Sequence, residues 1–216
     1  LNYKYLLSIN IIEFDSKISK KGVVMLKKLL ALFMAIGLIS GLYAGDVPTS
    51  KKKIIPQGKY LTPQEAYDMM QKEGDKVLFI DVRTPEELYF VGYPTVIDKN
   101  IPIAYIDYSK FKKNKKGEVV KFASYKNKEF MPQLEAALKK KGLDKNSPII
   151  VICRSGSRAA KAAKMMDKAG YKNVYNLDQG FEGDKDKNKH RTVNGWKNAN
   201  LPYTYKVNEK VFILHK

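Results

Sequence analysis

The sequence predicts an α/β fold, a single domain with a central parallel sheet flanked by helices on both faces. Three observations carry that prediction. Residues 77–80, Val-Leu-Phe-Ile, and residues 149–152, Ile-Ile-Val-Ile, are short and wholly apolar, the composition of strands buried on both faces of a parallel sheet. Each run is followed by a turn and then by residues at helical spacing, and this alternation supplies the crossovers that parallel strands need. The length, 216 residues, allows one ordinary domain plus extensions, and a 44% hydrophobic content is enough for one core.

Residues 1–24 show no clear period. Met25-Leu-Lys-Lys28, an apolar run from Leu29 to Ile39, and Ser40-Gly-Leu-Tyr-Ala44 then follow in the order of a signal peptide, with a small residue before a cut after Ala44. On this reading residues 25–44 are removed on export to the periplasm, and residues 1–24 are upstream translation from a misassigned start. The rival is an uncleaved membrane anchor, since the uncharged run from Leu29 to Gly45 approaches the ~18 residues of a spanning helix. Export bears on Cys153, the single cysteine. An oxidising compartment selects paired cysteines or none, so a lone one needs a chemical role or a burial place.

Residues 45–60, with Pro48, Thr49, Ser50 and the run Lys51-Lys52-Lys53, have linker composition and are expected to hold little structure. The domain proper spans residues 61–216. Thr62-Pro-Gln-Glu65 is a capping box with proline at the first helical position, and it opens an amphipathic helix through Ala66, Met69 and Met70 to Gly74. After the strand at 77–80 a second box, Thr84-Pro-Glu-Glu87, starts a short helix directly behind Arg83. The chain returns to extended structure near Val96 and at 101–103. Residues 104–126 form a long, lysine-rich connection with a strand-like stretch at 118–123, expected as a surface hairpin or lobe near the sheet edge.

Residues 128–142 predict a helix with Met131, Leu134, Ala137 and Leu138 inward and Pro132 tolerated in its first turns. The strand at 149–152 ends in Cys153-Arg-Ser-Gly-Ser-Arg158. A helix follows, with Ala159, Ala162, Ala163 and Met166 on the dry face and Lys161, Lys164 and Lys168 on the wet one, closed by Gly170. Residues 184–195 are a polar insertion. Asp184, Asp186 and Asn188 mimic the opening of a calcium loop, but Lys189 and Gly195 occupy the positions of its glycine and glutamate, so no metal is expected. Trp196 reads as core packing, and residues 206–215 alternate enough to form a final strand.

The chemistry centres on Cys153. Successive N–H groups of a loop containing Ser155, Gly156 and Ser157 can converge on one point, and the following helix adds its positive end. Arg154 and Arg158 supply cations. Such surroundings favour thiolate, and cysteines at helix N-termini or beside cations titrate at roughly 3.5–7.5 against about 8.5 free. The bland alternative is a small buried hydrophobe. Asp81, at a strand end, can bond backbone N–H groups, and Arg83 can pair with Glu86 or Glu87, so both read as scaffold. His190 and His215 fall in no motif. Without a Cys–His pair activation must come from backbone dipoles and arginines, which argues against a cysteine protease.

Cys153-Arg-Ser-Gly-Ser-Arg158-Ala-Ala-Lys-Ala-Ala, continuing into Ala169-Gly-Tyr-Lys-Asn-Val-Tyr-Asn-Leu-Asp-Gln-Gly-Phe-Glu-Gly183, resembles the active-site half of a rhodanese domain, the sulfurtransferase family. Val77-Leu-Phe-Ile-Asp81-Val-Arg83 resembles its other signature, and the similarity spans about Leu61 to Tyr203. The chain departs from the family at residues 91–100, where a Gly-His-Ile-Pro-Gly-Ala segment is usual. It departs again at 184–195, since the family reaches Gly-Trp almost at once. The resemblance implies a rhodanese-like fold, Cys153 as the sulfur-carrying nucleophile, Arg154 to Arg158 as the anion-binding loop, and Asp81 and Arg83 beside that loop in support. It implies no cofactor. Related domains with a Cys-x5-Arg loop hydrolyse phosphate esters, but here only four residues separate Cys153 from Arg158 and position 159 is alanine, so phosphatase activity is not expected.

The net charge is +18, and without residues 1–44 it is +14, from 34 basic against 20 acidic residues. Nucleic acid is the default partner of a basic chain, but export removes it. The partners expected are a small anionic sulfur donor such as thiosulfate or polysulfide, a thiol or cyanide-like acceptor, and a respiratory or redox protein of the kind served by periplasmic polysulfide-sulfur transferases. A non-catalytic module binding sulfide or a partner is the alternative. Most of the lysines read as a solvated face, although a positive field raises encounter rates with anions.

Overall fold

The computed structural model describes residues 45–213. The expected signal peptide and the residues before it lie outside this range, as does His215. The elements run β1 (Tyr60–Leu61), α1 (Pro63–Glu73), β2 (Leu78–Asp81), α2 (Pro85–Val91), β3 (Tyr93–Pro94), β4 (Lys99–Asn100), β5 (Ala104–Lys113), β6 (Val119–Lys126), α3 (Phe130–Lys140), β7 (Ile149–Ile152), α4 (Ser157–Lys168), β8 (Val174–Leu177) and β9 (Tyr203–Thr204).

Both predicted capping boxes form. Thr62 accepts the Glu65 N–H while the Glu65 carboxylate takes the Thr62 N–H, and Thr84 and Glu87 do the same, each with proline at the start of the helix. These boxes set where α1 and α2 begin, and α2 begins against the end of β2.

Five strands make one parallel sheet in the order β1-β8-β7-β2-β4. The apolar runs occupy its centre. Leu78, Ile80, Ile149 and Val151 pack in one core cluster with Phe130, Leu134 and Leu138 of α3 and with Ala159, Ala162, Ala163 and Met166 of α4. The alternate residue Phe79 turns to the other face, where its ring meets Trp196 at 5.8 Å, and Trp196 in turn meets Tyr67 of α1 at 6.0 Å. Trp196 is a core residue, fully buried, with its indole N–H donated to the Pro202 carbonyl. α4 closes through Gly170 at φ 90°, with the Tyr171 N–H on the Met166 carbonyl and the Gly170 N–H on that of Asp167.

Residues 104–126 are a surface hairpin, β5 and β6, paired from Ala104↔Lys126 to Lys113↔Val119 with an irregularity between Asp107 and Phe111. Near Val96, where extended structure is expected, the strand bonds fall instead on β3 and β4. The insertion at 184–195 leaves the fold undisturbed because its ends meet: Asn194 accepts the Asp184 N–H, and the next residues, Trp196 and Lys197, donate to the carbonyls of Gly180 and Phe181. Asp184 pairs with Lys53, and Asp186 accepts from the backbone of Asn188 and His190 and the hydroxyl of Thr192.

Two expectations change. Residues 45–59 carry no helix or strand, yet they are no loose tether. Ile55 is buried in the core cluster, the Gly45 N–H bonds the Tyr60 carbonyl, and Asn176 of β8 donates to the Lys53 carbonyl. The lysine run hides an apolar anchor that composition averages away. The strand expected at 206–215 is absent among the described residues. Asn208 instead turns the chain, accepting the Lys210 N–H on its side chain and the Val211 N–H on its carbonyl. Val211 and Phe212 then bury together, Phe212 edge-on to Tyr93 at 5.5 Å, so the alternation read as a strand serves two packing residues. No helix among the described residues is long and apolar enough to cross a membrane.

Candidate active site

Cys153 follows β7 directly and is 1% exposed. Its carbonyl accepts the Phe181 N–H at 2.8 Å, and the Arg154 carbonyl accepts those of Glu182 and Gly183 at 3.0 and 3.2 Å. The loop after β7 is thus stapled, backbone to backbone, onto the loop after β8. Two glycines permit this approach. A side chain on Gly156, at φ 85°, would lie 2.0 Å from the Asp178 carbonyl oxygen, and one on Gly180, at φ 68°, would lie 2.5 Å from the Ser155 nitrogen. Both positions need glycine's left-handed backbone as well as its missing Cβ.

Held this way, the loop presents donors with no other use. The backbone N–H groups of Arg154, Ser155, Gly156, Ser157 and Arg158 donate to no protein acceptor among the described residues. They stand at the N-terminus of α4, where the helix dipole adds positive potential. Uncommitted donors at a helix start, beside a sulfur, are of the kind that can hold an anion.

The loop opens on a cleft of about 600 Å³. Cys153, Arg154, Ser155, Ser157 and Arg158 form its floor, with Thr84 and Glu87 of the α2 cap beside them. The far wall is the hairpin: Ala104, Tyr105 and Ile106 from β5, and Lys121, Phe122, Ala123 and Ser124 from β6. The predicted loop residues therefore come together, with Gly156 facing away toward Asp178. Among the described residues the lining holds no histidine, and His190 lies exposed in the insertion.

Arg158 is not a free cation. Its two terminal nitrogens reach the two Glu87 oxygens at 2.5 and 2.6 Å. Burial works against both charges, and the contact outweighs it. The Arg158 guanidinium, helped by the Thr84 N–H, holds the Glu87 carboxyl below its usual range, while Glu87, with the Cys153 sulfur and Asp81 further off, holds Arg158 above its own.

Asp81 and Arg83 do not line the cleft, and Arg83 pairs with neither Glu86 nor Glu87. Its partner is Asp81. Both side chains are fully buried, with Arg83 Nη2 2.7 Å from Asp81 Oδ2 and Nε bridging both oxygens, while Asp81 Oδ1 also accepts the Arg83 N–H. Only two residues apart at a strand end, the two satisfy each other's charge where water cannot reach. Arg83 also donates to the Gly92 carbonyl, and its guanidinium lies over the Phe181 ring at 4.4 Å. Phe181 is the residue whose N–H holds the Cys153 carbonyl, so the pair supports Cys153 at one remove. Asn100 completes the support by donating to the carbonyls of Asp81 and Arg83.

Sequence reasoning missed the far wall, Asn100, and the use of Glu87. Only the lysine-rich hairpin had a local signal, and that signal did not say which face of the molecule the hairpin covers.

The family model for the rhodanese-like domain matches residues 62–187. An uncharacterised protein of Rickettsia conorii is 33% identical over 142 residues, which are 65% of this chain and 93% of the relative. Among solved structures, the crystal structure of Rv0390 from M. tuberculosis shares 27% identity with a TM-score of 0.48, covering 67% of this chain and 96% of that one. The polysulfide-sulfur transferase homodimer of Wolinella succinogenes shares 24% identity with a TM-score of 0.42, over 82% and 90% of the two chains.

Proposed function

We propose that this chain, which belongs to the rhodanese-like domain family, is a sulfurtransferase that carries sulfane sulfur on Cys153 as a persulfide. One observation carries the reading: the only cysteine of the chain lines a cationic cleft from the floor of a loop whose five N–H groups are uncommitted. Such a loop can hold a charged persulfide through its N–H groups.

In the first half-reaction the Cys153 thiolate attacks the outer sulfur of thiosulfate. A new S–S bond forms, the donor's S–S bond breaks, and sulfite leaves with the electron pair. Polysulfide would react likewise and leave one sulfur shorter. In the second half-reaction an acceptor nucleophile, cyanide or a thiolate, takes the outer sulfur, and Cys153 returns to thiolate. No cofactor enters and the charges balance in both halves. On the same reading the mature protein works after export, with small anionic donors and with a small acceptor or a respiratory or redox protein as recipient.

A second reading, a non-catalytic module that binds sulfide or a partner in the same cleft, draws support from the near-complete burial of Cys153. Steady-state transfer from thiosulfate to cyanide separates the two. Turnover by the wild type that disappears in Cys153→Ser supports the enzyme, and saturable binding without turnover supports the module.

A further inference from the structure

We propose that Lys121, carried by the hairpin, recognises the charged part of an anionic sulfur donor and so helps set donor specificity, a role that rests on the sulfurtransferase reading above. The argument begins with charge. A dianionic donor must approach a thiolate, so like charges converge and the site has to offset them. The cleft lining supplies Arg154, Arg158 and Lys121 against Glu87. Glu87 and Arg158 cancel in their two-pronged pair, which leaves Arg154 from the loop and Lys121 from the opposite wall.

Lys121 is placed for that use. Among the described residues it enters no ion pair. In the hairpin it lies directly across from Lys112, an arrangement in which like charges oppose pairing and which a bound anion would relieve. Its neighbour Phe122 holds β6 to β5, packing on the Tyr108 ring at 5.2 Å and stacking on Phe111 at 5.4 Å. The other lysines of the hairpin tip, such as Lys116, do not line the cleft. They share the charge of Lys121 but not its position, and so provide the control.

The test measures donor kcat/KM, which reports the first half-reaction, for wild type, Lys121→Gln, Lys121→Arg and Lys116→Gln, with cyanide as acceptor. Thiosulfate and tetrasulfide serve as anionic donors and dimethyl trisulfide as a neutral one, from which the thiolate takes the central sulfur with one methylthio group and expels methanethiolate. Lys121→Gln should lose about three- to tenfold with the anionic donors and nothing with the neutral one. Lys121→Arg should retain activity, Lys116→Gln should match wild type, and added salt should narrow the gap between wild type and Lys121→Gln. Unchanged kcat/KM for thiosulfate and tetrasulfide in Lys121→Gln would overturn the proposal. So would an equal loss with all three donors, which marks a structural role, or an equal loss in Lys116→Gln, which marks a general field. A wild type that transfers sulfur from no donor would remove the sulfurtransferase reading itself, and this proposal with it.

Discussion

Arg158 grips Glu87 with both terminal nitrogens, at 2.5 and 2.6 Å, across the rim of the cleft that holds Cys153. The pair joins the start of α4 to the cap of α2, so it fixes the loop and, on the sulfurtransferase reading, sets how much charge a donor would meet.

Removing Arg158 therefore does more than delete a cation, because it leaves the Glu87 carboxylate uncompensated at the site of an anionic donor. Arg158→Ala should lower donor kcat/KM by roughly 10–100-fold. The double variant Glu87→Gln/Arg158→Ala should recover part of that loss, and steady-state kinetics on the full cycle would read the coupling.

The same pair gives a pH dependence. Glu87 titrates below its usual range in the fold, so its stabilisation is present at neutral pH and is lost as pH falls through the folded value. Glu87→Gln should cost ~1–2 kcal/mol at neutral pH in urea unfolding. The difference from wild type should shrink under strongly acid conditions. A constant difference at both extremes would show that packing rather than charge is responsible.

Two glycines with similar backbone angles should respond differently to alanine. Gly117, at φ 82°, has open space around it, whereas a side chain on Gly156 would meet the Asp178 carbonyl at 2.0 Å. Gly117→Ala should cost about 1 kcal/mol of backbone strain with no loss of sulfur loading. Gly156→Ala must move the loop off its staple, and loading of Cys153, followed by mass, should fall by an order of magnitude or more.

Asp81 and Arg83, both fully buried, should behave as a unit. Arg83→Met leaves a buried carboxylate alone and should cost about 3–5 kcal/mol. Replacing both residues by apolar side chains should cost less. Urea unfolding of the single and double variants measures the difference.

Much of this site could be read from local signals. Thr62 and Thr84 announce their helices through capping chemistry that needs only four consecutive residues, and the run 149–152 followed by a glycine loop and an alanine-rich helix gives the strand, loop and helix around Cys153 in one stretch. What sequence could not give depends on distant partners. Arg158 meets Glu87 across 71 positions, and the hairpin that walls the cleft carries no mark of which end of the sheet it covers. Arg83 illustrates a subtler limit. Glu86 and Glu87 are near Arg83 in sequence as well, but helix α2 points Glu87 toward Arg158, while Asp81 lies buried where an arginine's charge must also be matched.

Aryl phosphates should not be turned over. Four residues separate Cys153 from Arg158, one fewer than in the phosphatase-type loop, and the guanidinium is already held by Glu87. Hydrolysis that disappears in Cys153→Ser would contradict this.

The central claim is the persulfide. Intact mass of the wild-type protein and of Cys153→Ser, taken after incubation with thiosulfate or polysulfide and without reductant, tests it most directly. The wild type should gain one sulfur, about 32 Da, discharged by cyanide, and the variant should gain none. A wild type that takes up no sulfur from any sulfane donor, or a Cys153→Ser variant that gains the same mass, would contradict the account.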